Sequence, residues 1–127
     1  MRVLLAEDER INQLYMLHLL QGAGHDVSVA NDGQQVLDLV WTQEFDIVLM
    51  DVQMPRLNGL EATRTIRSNT AFQTPASVPI IALSAHSSAK DLESFQAAGM
   101  DDSLTKPIDE AALFALIKAH EDNDGSE

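Results

Sequence analysis

Cysteine is absent from this 127-residue chain, which excludes disulfides and thiolate-held metals. Apolar runs are short. None approaches the length of a membrane-spanning helix, and Met1-Arg2 leads straight into the four-residue run Val3-Leu4-Leu5-Ala6, too short for the apolar region of a signal peptide. The expectation is a cytoplasmic domain that makes no membrane contact. Basic residues are few, 8 against 20 acidic ones, for a formal net charge of -12. That balance repels nucleic acid, whose binding depends on Lys and Arg neutralising phosphates. Internal repeats and domain-splitting linkers are also lacking. One domain of this length buries a core without covalent staples.

What is present alternates between two patterns. Aliphatic or β-branched runs lie at residues 2–6, 26–30, 46–50, 78–83 and 102–104 and predict five strands. Between them Ile11, Leu14 and Leu17 are spaced as one helical face, as are Val36, Leu37 and Val40, then Leu113, Leu116 and Ile117. Gly22 and Gly24 stop the first helix, Asn31-Asp32-Gly33 starts the second and Gly99 stops the fourth. Strands alternating with helices predict a doubly wound α/β domain with a parallel sheet. Ile47-Val48-Leu49-Met50 and Pro79-Ile80-Ile81-Ala82-Leu83 are continuously apolar, as parallel strands covered on both faces are. Residues 68–78, rich in Ser, Thr, Ala, Asn and Pro, read as a surface insertion. The domain is expected over residues 1–120. Glu121-Asp122-Asn123-Asp124-Gly125-Ser126-Glu127 has no apolar residue and is expected to be a disordered tail.

Charged residues sit where such a fold binds ligands. Glu7 and Asp8 end the first apolar run, Asp51 ends the third, and Lys106-Pro107 follows the fifth. The carboxyl ends of parallel strands open onto one edge, so three carboxylates and an ammonium converge there. That set suits one divalent cation and one phosphoryl group. Asp51 is read as a nucleophile that forms an acyl phosphate; the plainer reading is a loop or capping aspartate. An aspartate is ordinarily ionised near neutral pH, so no general base is required. Asp8 or Glu9 is also suited to cap the helix beginning near Arg10, and Ser84 to cap one beginning near Ser87.

In order and spacing, Glu7-Asp8, Met50-Asp51 with Met54-Pro55 and Gly59, Leu83-Ser84-Ala85 and Lys106-Pro107 resemble the receiver domain of two-component response regulators. Ala85-His86 and Ala98-Gly99-Met100-Asp101-Asp102 further resemble receivers of hybrid sensor histidine kinases. The resemblance implies a flavodoxin-like (βα)5 domain with strand order 2-1-3-4-5. It implies that Asp51 accepts a phosphoryl group from a histidine kinase or histidine phosphotransfer protein. It also implies Mg2+ (or Mn2+) held by Asp8, Asp51 and the backbone carbonyl of Gln53, with Glu7 acting through water. Lys106 and Ser84 then serve the phosphoryl oxygens, Gln53 and His86 tune attack by water, and the Lys106-Pro107 peptide is cis. The family often has an aromatic residue that switches with the serine hydroxyl where this chain has Ser103, and a small polar side chain cannot pack as such a gate.

Two other phosphate chemistries fit less well. Haloacid dehalogenase phosphohydrolases resemble Asp-x-Asp after the first strand, whereas Asp51 here is followed by Val52-Gln53. A flavodoxin-like cofactor binder would need a phosphate-cradling loop where Glu7-Asp8-Glu9 stands. Among receivers, a stand-alone regulator and the receiver of a hybrid kinase both remain open, with the pattern leaning to the hybrid.

Overall fold

The computed structural model describes residues 1–124. In chain order the elements are β1 (Arg2–Ala6), α1 (Arg10–Gly22), β2 (Asp26–Ala30), α2 (Gly33–Thr42), β3 (Ile47–Asp51), α3 (Gly59–Ser68), β4 (Ile80–Ser84), α4 (Ala89–Ala98), β5 (Asp102–Thr105) and α5 (Glu110–Asp124). The strands form one parallel sheet in the order β2-β1-β3-β4-β5.

Successive residues of a strand point to opposite faces, and the core divides accordingly. Leu4, Ala6, Val48, Met50, Ile80 and Ala82 face Val36, Val40, Ala62, Ile66 and Phe95 of α2, α3 and α4. Val3, Leu5, Ile47, Leu49, Ile81 and Leu83 face Met16, Leu20, Leu113 and Ile117 of α1 and α5. Every residue of β3 and β4 is buried, which explains their continuous apolar runs. The edge strands β2 and β5 are partly exposed and carry polar residues.

Several sequence expectations change in detail. Strands β3, β4 and β5 each run one residue further toward the carboxyl edge than expected, because the ladder continues: Asp51 pairs with Leu83, and Ser84 with Thr105. The face Ile11-Leu14-Leu17 is not the buried face of α1. Ile11 is 75% exposed and Leu14 49%, and Met16 and Leu20 pack inward instead. Residues 68–78 are anchored rather than a loose insertion. Thr74 is fully buried; its hydroxyl donates to the Gln43 carbonyl (2.6 Å) and accepts from the Phe45 N–H (3.1 Å). Arg67 binds the carbonyls of Ala76 and Val78 (both 2.6 Å) and of Gly99 (2.8 Å), and pairs with Asp101.

Helix α5 runs on through Asp124, four residues into the stretch expected to be a disordered tail. Extending an existing helix costs far less than starting one, and Glu121 lies 3.8 Å from His25. Residues 125–127 of that expected tail lie outside the described residues. No helix among the described residues is long and apolar enough to cross a membrane.

Candidate phosphoryl and metal site

The site lies at the carboxyl edge of the sheet, where β1 and β3 are neighbours and β4 and β5 follow. Each acid arrives by a tight local device. After β1 the chain turns into α1, capped by Glu9, whose carboxylate accepts from the N–H groups of Ile11 (3.2 Å) and Asn12 (2.8 Å). The capping role therefore falls to Glu9, and Asp8 lines the cleft. After β3, residue 59 must be glycine: a Cβ there would run into the Asp51 carbonyl oxygen. Helix α3 can therefore start directly against the end of β3. Asn58 and Glu61 form a reciprocal capping box at that start. Ser88, paired with Asp91, caps α4, so Ser84 is not the helix cap.

The charged groups meet as the strand ends implied. Lys106 Nζ lies 3.0 Å from Asp51 Oδ2 and 2.9 Å from Glu7 Oε1. The other Asp51 oxygen accepts from the Gln53 N–H (3.1 Å), and the other Glu7 oxygen from the Glu9 N–H (3.1 Å). Ser84 Oγ accepts from the His86 N–H (3.0 Å), leaving its own hydrogen to donate. The Lys106-Pro107 peptide is cis. The cleft, about 340 Å³, is lined by Asp8, Asp51, Gln53, Ser84, His86 and Lys106, with Glu9, Asn12, Val52 and Ala85 completing it. Glu7 stands just beneath, 1% exposed.

Ser103 is the one site candidate that lies elsewhere. It pairs with Ala82 in β5 and borders a separate cavity of about 230 Å³ with Leu92, Phe95 and Met100. Asn12 in the cleft wall was not legible beforehand. Its side-chain type carries no signal, and only the folding of α1's first turn brings it into the cleft wall with Asp8.

Burial pushes the Asp51 carboxyl up to about 7, and the adjacent Glu7 carboxylate adds to the rise while Lys106 opposes it. Burial thus works against the ionised form of Asp51, and the Lys106 ammonium works for it. Burial also works against ionisation of Glu7, but its contacts with Asp51, Lys106 and the Glu9 N–H outweigh it and hold Glu7 below its ordinary value. Burial works against the charged form of Lys106, yet the two carboxylates keep its pKa above the ordinary value.

Carboxylate oxygens of Glu7, Asp8 and Asp51 all lie within 4.8 Å of one another. A hard oxygen donor set of this kind, open to water on one side, fits Mg2+.

The family model of the response regulator receiver domain matches residues 3–118. The chain belongs to the response regulator receiver family. This receiver is 42% identical over 121 residues to hybrid signal transduction histidine kinase I of Dictyostelium discoideum, covering 91% of this chain and 7% of that protein. It is 41% identical over 116 residues to sensor protein GacS of Pseudomonas syringae pv. syringae, covering 91% of this chain and 13% of that protein. The receiver thus spans only a small fraction of the curated relatives it matches. Among solved structures it is similar to the receiver domain of sensor histidine kinase PA1611 from Pseudomonas aeruginosa PAO1, which has a magnesium ion coordinated in its active-site cleft. The TM-score is 0.83 and the identity 37%, over 93% of this chain and 94% of that one.

Proposed function

We propose that Asp51 accepts a phosphoryl group from the phosphohistidine of a histidine kinase or histidine phosphotransfer protein, in a Mg2+-dependent reaction in the cytoplasm. One observation carries this reading: Asp51 is a strand-end carboxylate with Lys106 on one oxygen, the Gln53 N–H on the other, and two further carboxylates beside it. An Asp51 oxygen attacks phosphorus, the new O–P bond forms as the N–P bond breaks, and the electron pair leaves with the imidazole nitrogen. Phosphoryl transfer of this kind needs positioning and charge neutralisation more than covalent help from the protein.

Asp8, Asp51 and the Gln53 carbonyl would hold the cation, with Glu7 acting through water; Mn2+ accepts the same oxygen ligands. When bound, Mg2+ would supply positive charge to offset the carboxylates and the phosphoryl oxygens. Lys106 brings a compact ammonium to a second phosphoryl oxygen, and the Ser84 hydroxyl donates to a third. Gln53 and His86 flank the mouth of the cleft and set how readily water attacks phosphorus to release inorganic phosphate and regenerate Asp51. Ser84 and Ser103 occupy the switch positions.

The chain reads as the receiver of a hybrid sensor histidine kinase, with a histidine phosphotransfer domain as its next partner. Intact-mass measurement after incubation with acetyl phosphate and Mg2+ tests the central claim. The wild type should gain one phosphoryl group and Asp51→Asn none. Full labelling of Asp51→Asn would overturn the assignment.

A further inference from the structure

The turn between β2 and α2 contributes nothing to the cleft lining, yet both acidic loops are tied to it. On one side, Gln13 of α1 donates its side-chain amide to the Glu7 carbonyl (2.8 Å) and to Asn31 Oδ1 (2.7 Å). Asn31 is held in turn by its N–H on Gln35 Oε1 (2.7 Å). Both hydrogens of the Gln13 amide are thereby spent on joining the β1–α1 turn to the β2–α2 turn.

On the other side, the Arg56 guanidinium donates to Asp32 Oδ2. Asp32 is 2% exposed, and its other oxygen caps α2 through the Gln35 N–H (2.9 Å). Arg56 is the non-glycine residue with positive φ among the described residues, at 66°. A residue with a side chain holds such a backbone conformation only when its surroundings fix it. A Cβ at Gly33 would run into the Leu57 carbonyl, so loop 52–58 presses directly on the same turn. That loop is closed at its far end by the Gly59 N–H on the Val52 carbonyl (3.0 Å).

We propose that Asn31, Asp32 and Gly33 form a common anchor that sets the spacing between the two acidic loops. Gln13 and Arg56 are the positioning residues. Gln13 fixes the turn that carries Glu7 and Asp8, and Arg56 fixes the loop that carries Gln53 beyond Asp51. The claim rests on the Mg2+-dependent phosphoacceptor reading above. Outer groups that orient metal ligands typically matter about 10- to 100-fold in affinity.

Arg56→Gly is the decisive variant. Glycine adopts positive φ without strain, so this substitution removes the clamp while favouring the loop backbone. It also removes a positive charge, which by itself would strengthen cation binding. Mg2+ is titrated against the wild type and the variant, following the backbone amide NMR signals of Asp8 and Gln53, with acetyl phosphate labelling rates measured in parallel. The Mg2+ midpoint should rise about 10-fold with little change in melting temperature, and the Asp8 signals should still respond. Arg56→Lys, which keeps the charge and one donor, should fall between the two. Gln13→Met, close in volume but with no donor, should raise the midpoint comparably. Wild-type midpoints in both Arg56→Gly and Gln13→Met would overturn the inference. A wild type that binds Mg2+ but is never labelled would instead count against the phosphoacceptor reading, and the midpoints would still decide the anchor.

Discussion

Asp51 is held between a carboxylate and an ammonium, and its proton is what the rest of the site argues over. Its folded value of about 7 lies above the ordinary 3.8 of an aspartate, so the folded chain holds this proton more tightly than the unfolded chain. Stability then falls as pH rises between those two values. Glu7 has the opposite shift, and its contribution is lost only as pH falls below its ordinary 4.5. Between about pH 5 and 7 Asp51 therefore dominates this cluster. Denaturant midpoints of the metal-free protein should decline across that interval, and Asp51→Asn should flatten the decline. An equal decline in both proteins would place the responsible proton elsewhere.

Asp8 is the exposed member of the trio and gives up the least when removed from the metal-free protein. Asp8 stands beside the carboxylates of Glu7 and Asp51, so Asp8→Ala also removes a like charge from the cluster. The variant should melt no lower than wild type without Mg2+. Its Mg2+ midpoint should nevertheless rise by more than the roughly 10- to 100-fold typical of outer-sphere changes. Trp41 is a poor reporter for that titration. It packs edge-on against Phe72, near the end of α2 away from the cleft, and amide shifts around Asp8 and Gln53 read the site directly.

Helix α1 shows how far periodicity alone can be followed. Ile11, Leu14 and Leu17 match a helical face as well as Met16 and Leu20 do, and spacing cannot choose between two apolar stripes. The choice is made by β1 and β3, whose Val3, Leu5, Ile47 and Leu49 offer a surface that Met16 and Leu20 complete. Leu20→Ala should cost about 2–5 kcal/mol in chemical denaturation. Ile11→Ala, at a position 75% exposed, should change stability by less than about 0.5 kcal/mol. Comparable losses at both positions would mean that the face presented by Ile11 is covered in solution.

Strand β5 carries the other element-scale expectation. Ser103 has little surface to bury, whereas an aromatic ring brings a large apolar area whose exposure differs between rotamers. A ligand shifts a two-state equilibrium only through contacts that differ between the states. Beryllofluoride should therefore shift NMR signals mainly around Asp51, Ser84 and Lys106. The surface of β5 and α5 around Leu104, Ala111 and Phe114 should move little. Coherent, large shifts across β5 and α5 would show that a different residue performs the switch.

For the whole molecule, what could be read in advance followed what each signal depends on. The buried strands β3 and β4 announce themselves because helices cover both faces, and the acids and Lys106 stand out because charge at such strand ends has few other uses. The anchoring of residues 68–78 was hidden, since Thr74 and Arg67 are polar and their burial depends on carbonyls far along the chain. Gln13 and Arg56 were equally silent. Asp32 reads as a helix start, which it is, and nothing in the sequence reveals that its second oxygen faces Arg56.

The order in which the site's charges occur along the chain has a consequence for how the domain is made. Glu7 and Asp8 directly follow β1 and Asp51 ends β3, the first two strands of the sheet's centre, whereas the ammonium that answers Glu7 and Asp51 comes only after β5. During synthesis from the amino terminus, the three acids are complete while their counter-charge is still unmade. Any pairing of β1 with β3 before Lys106 is made brings Glu7 and Asp51 together without that counter-charge. The last strand and α5 bring more than the apolar cover of Leu113 and Ile117: the turn between them brings the Lys106 ammonium to Glu7 and Asp51. A nascent chain halted before Lys106 should for this reason be most compact in mildly acidic medium or in the presence of divalent ions, and the finished domain should show that dependence more weakly.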